Sequence, residues 1–324
     1  MKFRTLLSTV ALALGLTSLG AHAADSAPLR VGVNTFAGYG LLYLAQAKGF
    51  FQARHVDVKL LSTEDKPSTA AALVSHNLDA WITTVDTFIF YDAKRLGIRQ
   101  ALAISFSNGA EGILATADIR DPKQLKGKTI AVEEGSPAYF LLLNVLASNG
   151  LSKNDVKVLN LKGADAGAAF VAGKVDVAAT WDPWLGQASK RSGGHVLIDS
   201  RATPGLIADT IAFRSDVLTS RRADVTNFIR AYFDADAYWK AHPDESNTII
   251  ANAIGIKESD LQSALKSVRF GSRDANADYF LKPDGIARVI DKGERVYRDA
   301  GVLKQATPAQ DIVDVRPLKD ALAQ

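Results

Sequence analysis

Cysteine is absent from the sequence and histidine is scarce. The 324 residues include 0 Cys and 5 His, which excludes disulfides, thiol nucleophiles and cysteine-based metal sites. None of the histidines has the spacing of a metal motif, and neither H-E-x-x-H nor G-x-S-x-G occurs. We therefore predict no metal, no cofactor and no enzymatic activity.

Long apolar runs are missing beyond the first twenty residues. There, an apolar run follows Lys2 and Arg4 and precedes Ala21-His22-Ala23, an A-x-A cleavage site. This pattern is typical of a secretory signal peptide over residues 1–23 and is too short for a membrane span. Because no cysteine stands at the cleavage site to carry a lipid, we expect a free protein in the periplasm.

Strong charge of either sign is also missing. The formal charge is +3, and removal of Lys2 and Arg4 leaves 3 − 2 = +1. Acidic and basic residues are interspersed, which argues against nucleic acid or an anionic membrane as a partner. With 47% hydrophobic residues, the chain can fill two cores of ordinary size, and we expect a monomer.

Short β-branched runs alternate with helical patterns along the chain. Alternation of this kind predicts α/β lobes with mostly parallel sheets and crossover helices. The predicted strands are LRVGVNTF, VDVKLLS, LDAWITTV, IRQALAISF, GKTIAVEEG, VKVLNLK, VDVAATW, HVLIDS and IADTIAFRSD.

An internal repeat divides the chain. Residues 74–84 align with residues 171–181, and in both segments a helix end leads through a turn into a strand that begins with Asp. We therefore predict two lobes with a hinged cleft, one built from 24–117 plus 210–324 and the other from 118–209. The mostly helical sequence after about residue 215 is expected to cover the first lobe.

Ligands of open α/β sheets bind where strands end and loops enter helices. The loops that follow the predicted strands contain polar and aromatic side chains. Trp181-Asp182-Pro183-Trp184 is the most unusual of them, and Trp81 belongs to the matching strand of the other lobe. We therefore expect three of the four tryptophans to lie near one cleft. Ordinary packing of the tryptophans, a plain helix cap at Ser136 and an N-cap role for Asp86 are the alternative interpretations.

The order of several segments resembles the periplasmic solute-binding proteins of the nitrate, taurine and aliphatic-sulfonate class of ABC importers. These segments are LRVGVN, GYGLLYLAQAKGFF, QLKGKTIAVEEGSP, AFVAGKVDVAATWDPW and FIRAYFDADAYWKAHPDE. The resemblance implies a two-lobed type II binding-protein fold that closes over one ligand and docks on a membrane permease.

The resemblance also implies which residues line the pocket. Carried over to this sequence, these are Gly38, Tyr39, Thr84, Asp86, Gly135, Ser136, Pro137, Trp181 and Asp182. Their position in the expected fold adds Asn108, Glu111 and Asp209.

The expected ligand is a small sulfonate or taurine-like solute, since helix N-termini favour anions. The acidic residues at the same edge favour a ligand with a positive end instead, such as an amine or guanidine-type cation. A pyrimidine-like heterocycle stacked on tryptophan is a further alternative. Enzymes of the same fold, which distant members of the superfamily resemble, include a pyrimidine-precursor synthase and a desulfinase. The resemblance implies that their active sites use a cysteine, which this chain lacks.

Overall fold

The computed structural model describes residues 27–323, so the predicted signal peptide lies outside the described residues. The strands form one sheet of six and one sheet of five. They are β1 (Leu29–Val33), β2 (Val58–Ser62), β3 (Ala80–Thr84), β4 (Ile98–Ser107), β5 (Glu111–Thr116), β6 (Thr129–Val132), β7 (Lys157–Asn160), β8 (Val177–Trp181), β9 (Gly194–Asp199), β10 (Ala208–Arg214) and β11 (Val268–Phe270).

Helices connect most of the strands and make up much of the C-terminal third. They are α1 (Gly40–Ala47), α2 (Phe50–Ala53), α3 (Lys66–Val74), α4 (Val85–Phe90), α5 (Pro137–Ser148), α6 (Gly163–Val171), α7 (Trp184–Ala188), α8 (Ser215–Ser220), α9 (Arg222–Ala241), α10 (Pro243–Ile254), α11 (Glu258–Ala264), α12 (Arg273–Leu281), α13 (Ile286–Asp299), α14 (Ala309–Ile312) and α15 (Arg316–Leu322).

The two sheets share one topology. The first has the order β11-β4-β10-β3-β1-β2 and the second β7-β6-β8-β5-β9. In each, three strands run parallel, β2-β1-β3 or β7-β6-β8. The next strand, β10 or β5, runs antiparallel to the third. The repeat found in the sequence thus marks the third strands of two equivalent lobes, and the predicted α/β two-lobed architecture is confirmed.

The chain crosses between the sheets near 108–110 and 200–207. By its pairing, β5 belongs to the second sheet, whereas the expected boundary at residue 117 placed it in the first lobe. None of the predicted strands covers β5. Gly109 has φ +110°, which fits a sharp turn between β4 and β5. The short edge strand β11 also has no counterpart among the predicted strands.

Helix α5 forms as its sequence predicts. Ser136 is its N-cap and accepts a hydrogen bond from the Tyr139 backbone N–H at 3.2 Å, with Pro137 at the first helical position. The aliphatic run that follows is buried on all sides. Burial all round is possible because α13 covers the face of α5 that the second sheet leaves free.

The C-terminal helices pack mainly on the first lobe, as expected from the sequence. Helix α9 packs against α1, α2 and α15. Helix α13 contacts both α4 of the first lobe and α5 of the second. The ring of its Tyr297 lies 5.8 Å from Phe90 and 5.3 Å from Phe140, measured between centroids. Thus α13 packs across the boundary between the lobes.

Among the helices of residues 27–323, none has both the length and the apolar character that crossing a bilayer requires.

Candidate functional site

A small cavity lies between the lobes, at the carboxyl ends of β1, β3 and β8. Its volume is about 20 Å³, which is room for about one water molecule. The lobes are therefore closed over it. The residues that line it are Asn34, Phe36, Tyr39, Lys66, Thr83, Thr84, Glu111, Pro137, Trp181 and Asp209.

Two acids of the cavity occupy equivalent places in the two lobes. Asp209 of β10 pairs with Thr84, the last residue of β3. Glu111 of β5 pairs with Trp181, the last residue of β8. Since Thr84 and Trp181 align in the internal repeat, each antiparallel strand supplies one carboxyl group at the same point of its lobe.

Asp209 is held by hydroxyl groups. The Tyr39 hydroxyl donates to its Oδ1 at 2.8 Å, and the Ser105 hydroxyl donates to its Oδ2 at 2.7 Å. Burial raises the pKa of Asp209 to about 6, against the opposing effect of these two hydrogen bonds. Burial and the charge of Asp209 in turn raise the pKa of Tyr39 well above its ordinary value.

Glu111 is connected to both crossings of the chain. The Ser107 hydroxyl donates to its Oε2. The Ser107 and Ser200 hydroxyls lie 2.7 Å apart, and the Gly109 N–H donates to Ser200 at 2.7 Å. Burial raises the pKa of Glu111 to about 8, and the charges of Asp209 and other nearby acids add to the rise.

Asp86 is a third buried acid, in the first turn of α4. Thr84 occupies the N-cap position and no side chain makes the capping bond, so the alternative interpretation of Asp86 as the N-cap is wrong. Asp86 is 1% exposed, and neither carboxylate oxygen has a hydrogen-bond partner in the described part of the chain. Burial raises the pKa of Asp86 to about 7, with a further contribution from the charge of Asp209.

Lys66 is the one basic side chain among the residues that line the cavity, and sequence reasoning missed it. Its Nζ lies 2.9 Å from Glu133 Oε1 and 4.6 Å from the centroid of the Trp181 ring. Its position in the sequence could have revealed it. Lys66 begins the helix that follows β2, at the same edge of the sheet as the other loops that follow strands. The ammonium group is paired with Glu133, although its charge also lowers the pKa of Asp86.

The tryptophans do not gather at the cavity as expected. Trp181 lines it. Trp81 is 1% exposed and packs edge-on against Phe88 and Tyr91 in the core of the first lobe. Trp184 lies in a separate groove formed with α6. The prediction that three tryptophans meet at one cleft is therefore wrong, because the two in question pack within their own lobes.

The glycines expected at the site have close neighbours. A Cβ at Gly38 would lie 2.4 Å from Ser105 Oγ, so only glycine lets Ser105 reach Asp209. At Gly135, which has φ +79°, a Cβ would lie 2.6 Å from the ring of Phe90 in the other lobe. The Gly135 carbonyl accepts a hydrogen bond from Thr87 at 3.0 Å. The loop before α5 thus contacts the opposite lobe directly, and Pro137 lines the cavity.

Three other residues lie farther from the cavity. Asn108 is exposed at the first crossing, where its N–H donates to the Ser267 carbonyl at 2.9 Å. Asp182 is half-buried, and its Oδ1 accepts the Gly186 N–H at 2.9 Å. Arg214 is at the opposite end of β10 from Asp209 and pairs with Asp216 at 2.8 Å.

The described residues contain no cluster of three or more side chains suited to holding a metal ion.

Residues 37–246 match the family described as NMT1/THI5 like. The chain belongs to that family. A relative of this NMT1/THI5-like protein, the putative aliphatic sulfonates-binding protein of Bacillus subtilis, is 25% identical over 330 residues, which cover 98% of this chain and 97% of the relative.

Two solved binding proteins share the fold. The alkanesulfonate-binding protein of Xanthomonas axonopodis pv. citri, bound to MOPS, has a TM-score of 0.73 and 24% identity, covering 90% of this chain and 99% of that one. The periplasmic aliphatic sulphonate binding protein of Escherichia coli has a TM-score of 0.71 and 22% identity, covering 92% and 100%. The predicted type II binding-protein fold and the resemblance to sulfonate- and taurine-class proteins are confirmed, and these similarities support a solute-binding role.

Proposed function

We propose that this protein is the periplasmic binding component of an ABC importer. It captures one small solute between its lobes, as a monomer, and delivers the solute to a permease in the inner membrane. The family membership and the named relatives support the role. The two crossings of the chain support the mechanism, because a doubly connected pair of lobes can open and close as a hinge.

We propose further that the ligand carries a positively charged nitrogen group. One observation supports this choice. Glu111 and Asp209 line the cavity between the lobes. Asp86 does not line it but is buried close enough for its charge to raise the pKa of Glu111, while Lys66 is already paired with Glu133. Two like charges 4 Å apart repel by about 4 kcal/mol at an effective dielectric constant of about 20. A simple sulfonate would meet that repulsion, whereas a cation relieves it.

Of the alternatives, the simple sulfonate is favoured only by the names of the relatives. A taurine-like amino-sulfonate stays compatible with the acids through its ammonium end. A stacked heterocycle has less support, because Lys66 lies over the ring of Trp181. Catalysis has no support among the residues that line the cavity.

The proposal is tested by thermal shift of the mature protein against methylammonium, guanidinium, taurine, methanesulfonate, nitrate and a pyrimidine. A ligand at 100 times its dissociation constant adds about 2.7 kcal/mol of stability. We expect a shift with at least one cationic compound and none with methanesulfonate or nitrate. The reverse pattern would overturn the cation proposal. NMR of each compound after incubation checks for turnover, and a new product would overturn the binding-protein role.

A further inference from the structure

Asp86 differs from the other acids of the site in what its oxygens contact. The two oxygens of Asp209 each accept a hydroxyl, and Glu111 accepts the Ser107 hydroxyl. Both oxygens of Asp86 are buried and have no hydrogen-bond partner within the described residues. Buried carboxylate oxygens in native proteins are nearly always hydrogen-bonded, so a ligand that donates hydrogen bonds would complete the surroundings of the Asp86 carboxyl.

The Thr84 hydroxyl, near Asp86, takes part in another hydrogen bond. Thr87 donates to the Gly135 carbonyl at 3.0 Å. The hydrogen between the Thr84 and Thr87 hydroxyls, which lie 2.9 Å apart, therefore comes from Thr84, since each hydroxyl has one proton to give. Thr84 lies close enough to Asp86 to lower its pKa, but its one proton is shared with Thr87.

Two tyrosine hydroxyls share the surroundings of Asp86. The Oη atoms of Tyr279 and Tyr297 are buried and also lack partners in the described structure. Burial raises the pKa of each, and the negative charge of Asp86 raises it further. The carboxyl group and the two phenols together offer both acceptors and donors to one polar group of a ligand.

From these contacts we infer that Asp86 binds a planar N–H fork, the paired donors of an amidinium or guanidinium-type group. The inference rests on the proposed function and narrows its ligand class. The two oxygens of a carboxylate match two parallel N–H bonds, whereas an ammonium group is a point charge without that match. The cavity of about 20 Å³ holds about one water molecule, so the lobes must move apart slightly to admit the group. Its remaining N–H groups would face Glu111 and Asp209.

The test is calorimetric titration of the mature protein with guanidinium and acetamidinium chloride at millimolar concentrations, compared with methylammonium chloride and taurine at equal ionic strength. We expect the two planar cations to bind about tenfold or more tightly than methylammonium, because the fork makes two charge-assisted bonds. The Asp86→Asn variant should reduce that preference to about one, since an amide offers only one acceptor oxygen.

Asp57→Asn is the matched control, because Asp57 is exposed before β2 and loses the same charge. It should keep the preference. Equal or tighter binding of methylammonium would overturn the fork and leave the cation proposal intact. If taurine or a sulfonate binds and neither planar cations nor methylammonium do, both the fork and the proposed cationic ligand are wrong. If Asp86→Asn does not fold, the ligand series on the unmodified protein still decides.

Discussion

Lys66 and Glu133 belong to different lobes and form a buried ion pair. The Lys66 Nζ lies 2.9 Å from Glu133 Oε1, with the side chains 8% and 11% exposed. The second oxygen of Glu133 accepts the Gly163 N–H at 3.0 Å. The closed arrangement therefore contains its own internal cation, which joins the lobes beside the cavity.

The first prediction concerns that ion pair. Lys66→Met leaves the Glu133 carboxylate buried without a charged partner, and breaking a buried ion pair in this way costs about 3–5 kcal/mol. Opening of the lobes returns Glu133 to water and avoids the cost. We expect the ligand-free variant to show a larger radius of gyration than the unmodified protein in small-angle X-ray scattering.

Lys162→Met is the control for this experiment. Lys162 also bridges the lobes, 3.2 Å from Asp65, but both side chains are exposed, so the pair is worth about 0–1 kcal/mol. The control should stay as compact as the unmodified protein. A Lys66→Met variant that is equally compact would show that the ion pair does not hold the lobes together.

The second prediction is that affinity for a cationic ligand rises with pH. Burial raises the pKa of Asp209 to about 6, of Asp86 to about 7 and of Glu111 to about 8. A bound cation favours the ionised carboxylates, so binding below these pKa values must release protons. Guanidinium affinity measured by calorimetry should increase from pH 5.5 to pH 8.5, by up to about tenfold per pH unit for each proton released. A guanidinium affinity that falls over this range would contradict binding of the cation by these ionised carboxylates.

The third prediction concerns the stability of the ligand-free protein. The folded state raises the pKa of Glu111 from 4.5 to about 8 through burial. Between these values the unfolded chain has lost the proton that the folded chain keeps, so stability falls as pH rises. Glu111→Gln cannot ionise and removes this contribution. The melting temperature should therefore fall less between pH 5 and pH 8 in Glu111→Gln than in the unmodified protein. An identical fall in both proteins would contradict the burial of an ionisable Glu111.

The fourth prediction separates two tryptophans. Trp181 lines the cavity and Trp184 lies in the groove beside α6. A ligand that enters the cavity changes the surroundings of the first ring only. The change in intrinsic fluorescence on adding guanidinium should disappear in Trp181→Phe and persist in Trp184→Phe. Its loss in Trp184→Phe alone would place the ligand elsewhere.

The fifth prediction uses two glycines with nearly the same backbone conformation. Gly135 has φ +79° and Gly127 has φ +77°, but only at Gly135 would a Cβ meet another side chain, at 2.6 Å from Phe90. Alanine costs about 1–2 kcal/mol of backbone strain at either position. Gly135→Ala should in addition weaken guanidinium binding, because the Phe90 ring belongs to the opposite lobe. Equal binding by the two variants would show that this contact is irrelevant to closure.

The sequence predicts much of this structure because its signals are local. Hydrophobic periodicity and the repeat around Trp81 and Ala178 locate the strands and the two lobes, and the Ser136 cap follows from Gly-Ser-Pro. The partners of the acids do not follow from local pattern. Lys66 meets Glu133 only when the lobes close, and nothing near Trp184 in the sequence shows that its ring turns toward α6. Contacts between lobes depend on distances that periodicity does not encode.

The small volume of the cavity also affects how fast a bound solute can leave. A space of about 20 Å³ holds about one water molecule, so a larger solute needs the lobes to move apart. A bound molecule can leave only after the lobes separate, so its residence time is set by how long Lys66–Glu133 and the other contacts between the lobes persist. Under the proposed function, handover to a permease would depend on loosening those contacts, so the protein would determine the release rate more than the solute does.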